Sequence, residues 1–131
     1  MNNRFAKYKK LMLISALVSM LSLLFAGCGD DEYVQTVKTG YMKLNDSATV
    51  GDAFDQFFSD GKWESFKSDN GQHIVEFNGK CRWNNKPADF RVQFKFTDKN
   101  SFELGYLGIN GNAMTVLDSL DIMDKIISSA K

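Results

Sequence analysis

The stretch from Ala88 to Phe96, ADFRVQFKF, alternates apolar and polar residues almost without a break. Successive side chains of a strand point to opposite faces. Ala88, Phe90, Val92, Phe94 and Phe96 therefore share one face, and Asp89, Arg91, Gln93 and Lys95 share the other. One face is buried and one is wet, as an antiparallel sheet allows.

The surrounding sequence extends this strand into a sheet. KWESFKS, from Lys62, reads as an earlier strand. Ser68-Asp69-Asn70-Gly71 is a strong hairpin turn, because Asn-Gly tolerates positive φ. QHIVEFNGKCRW is the return strand, with a bulge expected at Gly79. Asn84-Asn85-Lys86-Pro87 makes the next turn, and Asp98-Lys99-Asn100 leads into a fourth strand, SFELGYLGI, closed by Asn110-Gly111-Asn112. Turns this close together leave no room for the long crossovers of a parallel sheet.

Helical periodicity flanks the meander. Thr49 is placed to cap a helix, and Asp52 three residues later suits both a capping box and the positive helix end. Val50, Ala53, Phe54, Phe57 and Phe58 form one apolar face, and Asp60-Gly61 is expected to end the helix. A second helix is predicted over 113–130, with Ala113, Val116, Leu117, Leu120, Met123 and Ile127 along one side. Residues 33–45, YVQTVKTGYMKLN, read as an initial strand or an extended lead-in. The expected fold is α+β: a single domain with an antiparallel meander of about four strands and an N-terminal and a C-terminal helix on one face.

The chain has 131 residues with 16 basic and 16 acidic side chains, but the balance is uneven along it. Arg4, Lys7, Lys9 and Lys10 precede a long apolar run and every acid follows it, so residues 28–131 carry 12 basic against 16 acidic side chains, a net of −4. A mildly acidic domain has no electrostatic footprint for nucleic acid and would not adhere to an anionic membrane by charge alone. Of the 17 aromatic residues, 14 lie beyond residue 28, which is ample core material and argues against disorder.

The beginning of the chain has the three parts of a secretory signal: a basic segment, Arg4 to Lys10, an apolar segment, Leu11 to Ala26, and small residues. The apolar run of 16 residues is short for a spanning helix, which needs roughly 20. Phe25-Ala26-Gly27-Cys28 resembles the lipobox of bacterial lipoproteins, as distinct from a plain signal peptide or an uncleaved anchor. The resemblance implies cleavage between Gly27 and Cys28 by signal peptidase II. It also implies a diacylglyceryl group on the Cys28 thiol and acylation of the new amino group. Two or more acyl chains give lasting attachment where one holds only marginally. Gly29 replaces the Asp that favours inner-membrane retention in the enterobacterial pattern. The resemblance thus favours the periplasmic face of the outer membrane in a Gram-negative host. Residues 1–27 are then signal peptide, 28–45 the lipidated cysteine with a tether and lead-in, and 46–131 the globular domain. The acids of Gly29 to Glu32 read as a solvated tether.

VGDAFDQFFSDGKWESFKSDNGQHIVEFNGKC, followed by FELGYLGINGN, also resembles an uncharacterised domain of small bacterial envelope proteins, over most of residues 34–127. That resemblance implies the fold and the location and adds no site.

The residues that could carry chemistry have bland readings. His73, the single histidine, shares a strand face with Val75 and Phe77 beside a turn and has no nucleophile or second ligand at a telling spacing. Cys81 is left without an internal partner once Cys28 is lipidated, so it is buried or bridges two chains. Gly105, Gly108 and Gly111 depart from the known phosphate fingerprints and read as bulge and turn. Asp118, Asp121 and Asp124 read as a solvated helix face rather than a cation site. Of the remaining aromatics, Trp63, Trp83, Phe66 and Tyr106, Phe66 and Trp83 are expected in the core, and any that miss it would form a partner surface. No metal or cofactor is expected. The expected function is a non-enzymatic, membrane-anchored lipoprotein that binds another envelope macromolecule or supports an envelope assembly. The alternative is a small ligand-binding or inhibitory periplasmic module.

Overall fold

The computed structural model describes residues 31–131. The elements run α1 (Glu32–Thr39), α2 (Val50–Phe57), β1 (Ser59–Lys67), β2 (His73–Trp83), β3 (Lys86–Asp98), β4 (Ser101–Ile109), β5 (Asn112–Ala113) and α3 (Val116–Ser128). The five strands form one antiparallel sheet in the order of the sequence. The signal segment of residues 1–27, the Gly27–Cys28 cleavage point and Gly29 lie outside the described residues.

Local chemistry sets the turns. Ser68 accepts from the Gly71 amide at 2.8 Å, and Gly71 has φ +85°. Asn84 and Asn85, at φ +54° and +66°, form the two-residue turn between β2 and β3. Lys86 and Pro87 already belong to β3. Asn110 and Gly111 form the last tight turn, after which the chain adds the two-residue strand β5, short enough to escape a pattern reading.

The alternation of β3 appears as expected: Ala88, Phe90, Val92, Phe94 and Phe96 are all buried. They face Val75, Phe77, Leu107 and Ile109 of the sheet and Val34, Val37, Val50, Ala53 and Phe54 of the helices, together with Ile122, Met123, Ile126 and Ile127 of α3. Phe77 makes edge and tilted contacts with Phe54, Phe58 and Trp63 at 4.8–5.0 Å. Such offset rings add to the gain from burying their area.

The bulge lies elsewhere than expected. Gly79 pairs in unbroken register with Phe90. The extra residue sits in β1, between Ser59 and Lys62, where Asp60 takes φ +53°. Asp60-Gly61 is thus strand bulge rather than helix end, and α2 stops at Phe57. Gly79 has a packing role: a Cβ there would come within 2.6 Å of the Phe77 ring. A second bulge falls at Gly105, because Gln93 pairs with Tyr106 and Phe94 with Leu104.

Two helical expectations need correction. Residues 32–39 form α1 and not a strand or lead-in. The Asp31 carboxylate caps it by accepting from the Val34 amide at 2.9 Å, and Val34 and Val37 enter the core. The globular fold therefore begins at Asp31, well before residue 46. α3 is turned relative to the expected stripe. It buries Ser119, Ile122, Met123, Ile126 and Ile127, while Val116 and Leu117 are 76% and 74% exposed. The α2 expectation holds in detail: Thr49 Oγ1 accepts from the Asp52 amide at 3.2 Å.

Candidate functional site

α1 crosses the strands at one end of the sheet, on the core face. The Ser65 hydroxyl of β1 donates to Asp31. Tyr33 stacks on His73 of β2 with centroids 4.0 Å apart and meets Phe96 of β3 edge-on at 4.9 Å. Gly40 then passes so close to Phe102 of β4 that a Cβ would lie 2.8 Å from the ring. Lys67 pairs with His73, and Phe96 with Phe102, so α1 spans the end marked by the β1–β2 and β3–β4 turns.

Beyond Gly40 the chain makes a small, pinned loop. The Val50 amide donates to the Gly40 carbonyl at 3.0 Å, and the Asn45 amide donates to the Met42 carbonyl at 3.3 Å. Asn45 Nδ2 donates to Asp124 Oδ1 at 2.6 Å and Ser128 Oγ at 2.9 Å, tying the loop to α3. Lys43 and Leu44 are the tip of this turn.

Between this loop, the start of β4 and the outer side of α3 lies a cleft of about 720 Å³. Met42, Phe102, Leu104, Leu120 and Met123 wall it. Tyr41, Leu44 and Val116 stand at it while 57%, 78% and 76% exposed. Large apolar side chains gathered in one exposed place mark interaction surfaces more often than scattered ones do. The polar border includes Lys43, Glu103 and Asp124, with Glu103 ion-paired to Lys95 at 3.5 Å. The arrangement suits an apolar group with a polar or charged end.

Of the remaining sequence candidates, only Asp124 borders this cleft. His73 is held by the Tyr33 ring at the strand end. Cys81 is half-buried against the core, and burial raises its thiol pKa above the ordinary value of 9.0. Asp118 and Asp121 are exposed on α3, while Asp124 is spent on Asn45. Among the described residues no cluster of three His, Cys, Asp or Glu could hold a metal ion. Trp83 packs on Phe90 at 5.4 Å, as expected of a core neighbour. Phe66 does not: it pairs with Ile74 on the face away from the helices and is 40% exposed.

That far face holds one buried charge. Glu76 is only 8% exposed, with Oε1 accepting from Gln93 at 2.7 Å and Oε2 from Asn78 at 2.9 Å. Arg91 Nε lies 3.9 Å from Oε1. Both oxygens are engaged, so the group binds the strands together and has little capacity left for chemistry.

Sequence reasoning missed the cleft. Tyr41 and Leu44 lie in the segment that reads as strand or lead-in, and Val116 and Leu117 fall on the apolar stripe that the periodicity predicts. One signal was available: apolar residues surround more of α3 than a single packed face can cover.

No helix among the described residues is long and apolar enough to cross a membrane. No family model matches the chain, and neither a curated protein nor a solved structure does.

Proposed function

We propose that the protein is a non-enzymatic lipoprotein of the bacterial cell envelope. It is anchored through acyl chains on Cys28 and binds another envelope macromolecule or supports an envelope assembly. The outer membrane is favoured by Gly29, and the globular domain would then stand on its periplasmic face. The observation that carries the binding role is the cleft with Tyr41, Leu44 and Val116 exposed around it. The anchor rests on the resemblance of Phe25-Ala26-Gly27-Cys28 to a lipobox and on the basic and apolar segments before it.

A second reading, a small ligand-binding module, draws on the same cleft. Its volume of about 720 Å³ is within the range of small-molecule sites, and its walls are apolar with a few polar groups at the border.

In-cell cross-linking and pull-down of the lipidated protein, with Cys28→Ala as control, separates the two. One envelope protein recovered in near-equal amount and lost in the control supports the macromolecular role. Recovery of bulk lipoproteins alone counts against it and favours a small ligand.

A further inference from the structure

We propose that Tyr41, Leu44 and Val116 rest on the surface of the bilayer that holds the Cys28 anchor, so that the cleft opens at the membrane. The inference depends on the lipid anchor proposed above. It adds which side of the domain meets the lipid.

Asp31 is three residues beyond Cys28. Fully extended, three residues reach about 11 Å. Asp31 itself is fixed, since its carboxylate caps α1 and accepts from Ser65 of β1. Val34 and Val37 follow immediately into the core. Whatever path the chain takes between them, an anchor on Cys28 holds the corner of the fold at Asp31 within about 11 Å of the lipidated residue.

The direction of α1 supplies the second step. Its eight residues span about 12 Å at the usual helical rise. It runs from Ser65 of β1, past His73 and Phe96, to Phe102 of β4, staying at one end of the sheet. Tyr41 and the Lys43-Leu44 turn follow directly at that same end. The anchored corner and the Tyr41–Leu44 part of the cleft's border thus lie at one end of the sheet, and Val116 lines the same cleft.

The third step is chemical. Leu44 and Val116 are more than three-quarters exposed, and the pinned loop holds Leu44 outward. Leu117, beside Val116 in the first turn of α3, is 74% exposed. Tyrosine suits a membrane interface, having an apolar ring and a polar end. Lys43 at the turn tip can keep its ammonium among lipid phosphates while its stem lies along apolar surface. The domain's net charge of −4 gives no general attraction to an anionic leaflet, so the contact is local and apolar.

The test uses the mature lipidated protein in phosphatidylethanolamine–phosphatidylglycerol vesicles, with and without bromine on the acyl chains. Its intact mass is taken first. Leu44→Trp places a reporter at the cleft, and Lys86→Trp places one at the opposite end of the sheet. Trp63 and Trp83 are a background common to both variants. Brominated lipid is expected to quench most of the emission added by Leu44→Trp and to leave that added by Lys86→Trp. A lipidated Leu44→Trp protein that floats with the vesicles yet is not quenched overturns the membrane contact and leaves the anchor standing. The same holds if position 44 instead cross-links to a protein. A mature protein lacking lipid mass on Cys28 overturns the anchor and this inference together. Near-UV circular dichroism matching the unsubstituted protein establishes that each variant is folded.

Discussion

Asp31 and Ser65 join the first helix to the first strand: one carboxylate oxygen of Asp31 caps α1 through the Val34 amide, and the other accepts from the Ser65 hydroxyl of β1. A residue that reads as part of a solvated tether is thus held in the fold. Asp31→Ala removes the cap and the strand contact together, and loss of a cap alone costs about 1 kcal/mol. Asn caps as well as Asp, so Asp31→Asn is expected to keep most of that stability. Urea denaturation midpoints of the two variants check both expectations, and equal loss in both would show that charge, not capping, matters here.

Gly79 and Phe77 make a second sharp test. A Cβ at position 79 would lie 2.6 Å from the Phe77 ring and 3.1 Å from Phe58 Cβ. Gly79→Ala is expected to destabilise by about 1–3 kcal/mol, the usual cost of overpacking a core. Combining it with Phe77→Leu should cost less than the sum of the two changes, since the smaller side chain makes room. Additive losses in thermal melts would contradict the contact.

The border of the cleft should behave in the opposite way. Leu44 and Val116 are 78% and 76% exposed, so Leu44→Ser and Val116→Ser are expected to shift stability by no more than about 0.5 kcal/mol. The same changes should weaken the apolar contact with the bilayer, read as less quenching by brominated lipid of a tryptophan placed at position 41. A large loss of stability with quenching unchanged would assign these residues to folding rather than to membrane contact.

Cys81 provides a pH test. Burial raises its thiol pKa from the ordinary 9.0, so alkylation should be slower than for an exposed thiol at the same pH, with its rate midpoint displaced upward. The folded state then holds its proton where the unfolded chain releases it. This contribution to stability is complete below the unfolded pKa and is lost as pH rises toward the folded one. Alkylation at the rate of free glutathione across the alkaline range would refute the partial burial of the thiol.

These contrasts also show which parts of the fold the sequence could reveal. The strand from Ala88 to Phe96, the Thr49 cap and the Asn-Gly turn at Gly71 depend on neighbours in the chain, and each appears where the pattern places it. α1 was hidden because Val34, Thr36, Val37 and Thr39 favour strands; it is fixed by Asp31 and by burying Val34 and Val37. The rotation of α3 was hidden for a related reason. Its apolar residues exceed one face, and only packing against α2 and the sheet decides that Ile126 is buried and Val116 is not. The cleft joins residues 36–45, 97–104 and 116–124, so no local pattern announces it.

The most direct test of the account is the mass of the N-terminal fragment released by proteolysis of the protein purified from its membrane. The account predicts a fragment beginning at Cys28 and carrying a diacylglyceryl group, with or without a third acyl chain. A fragment beginning at any other residue, or an unmodified Cys28, would contradict it.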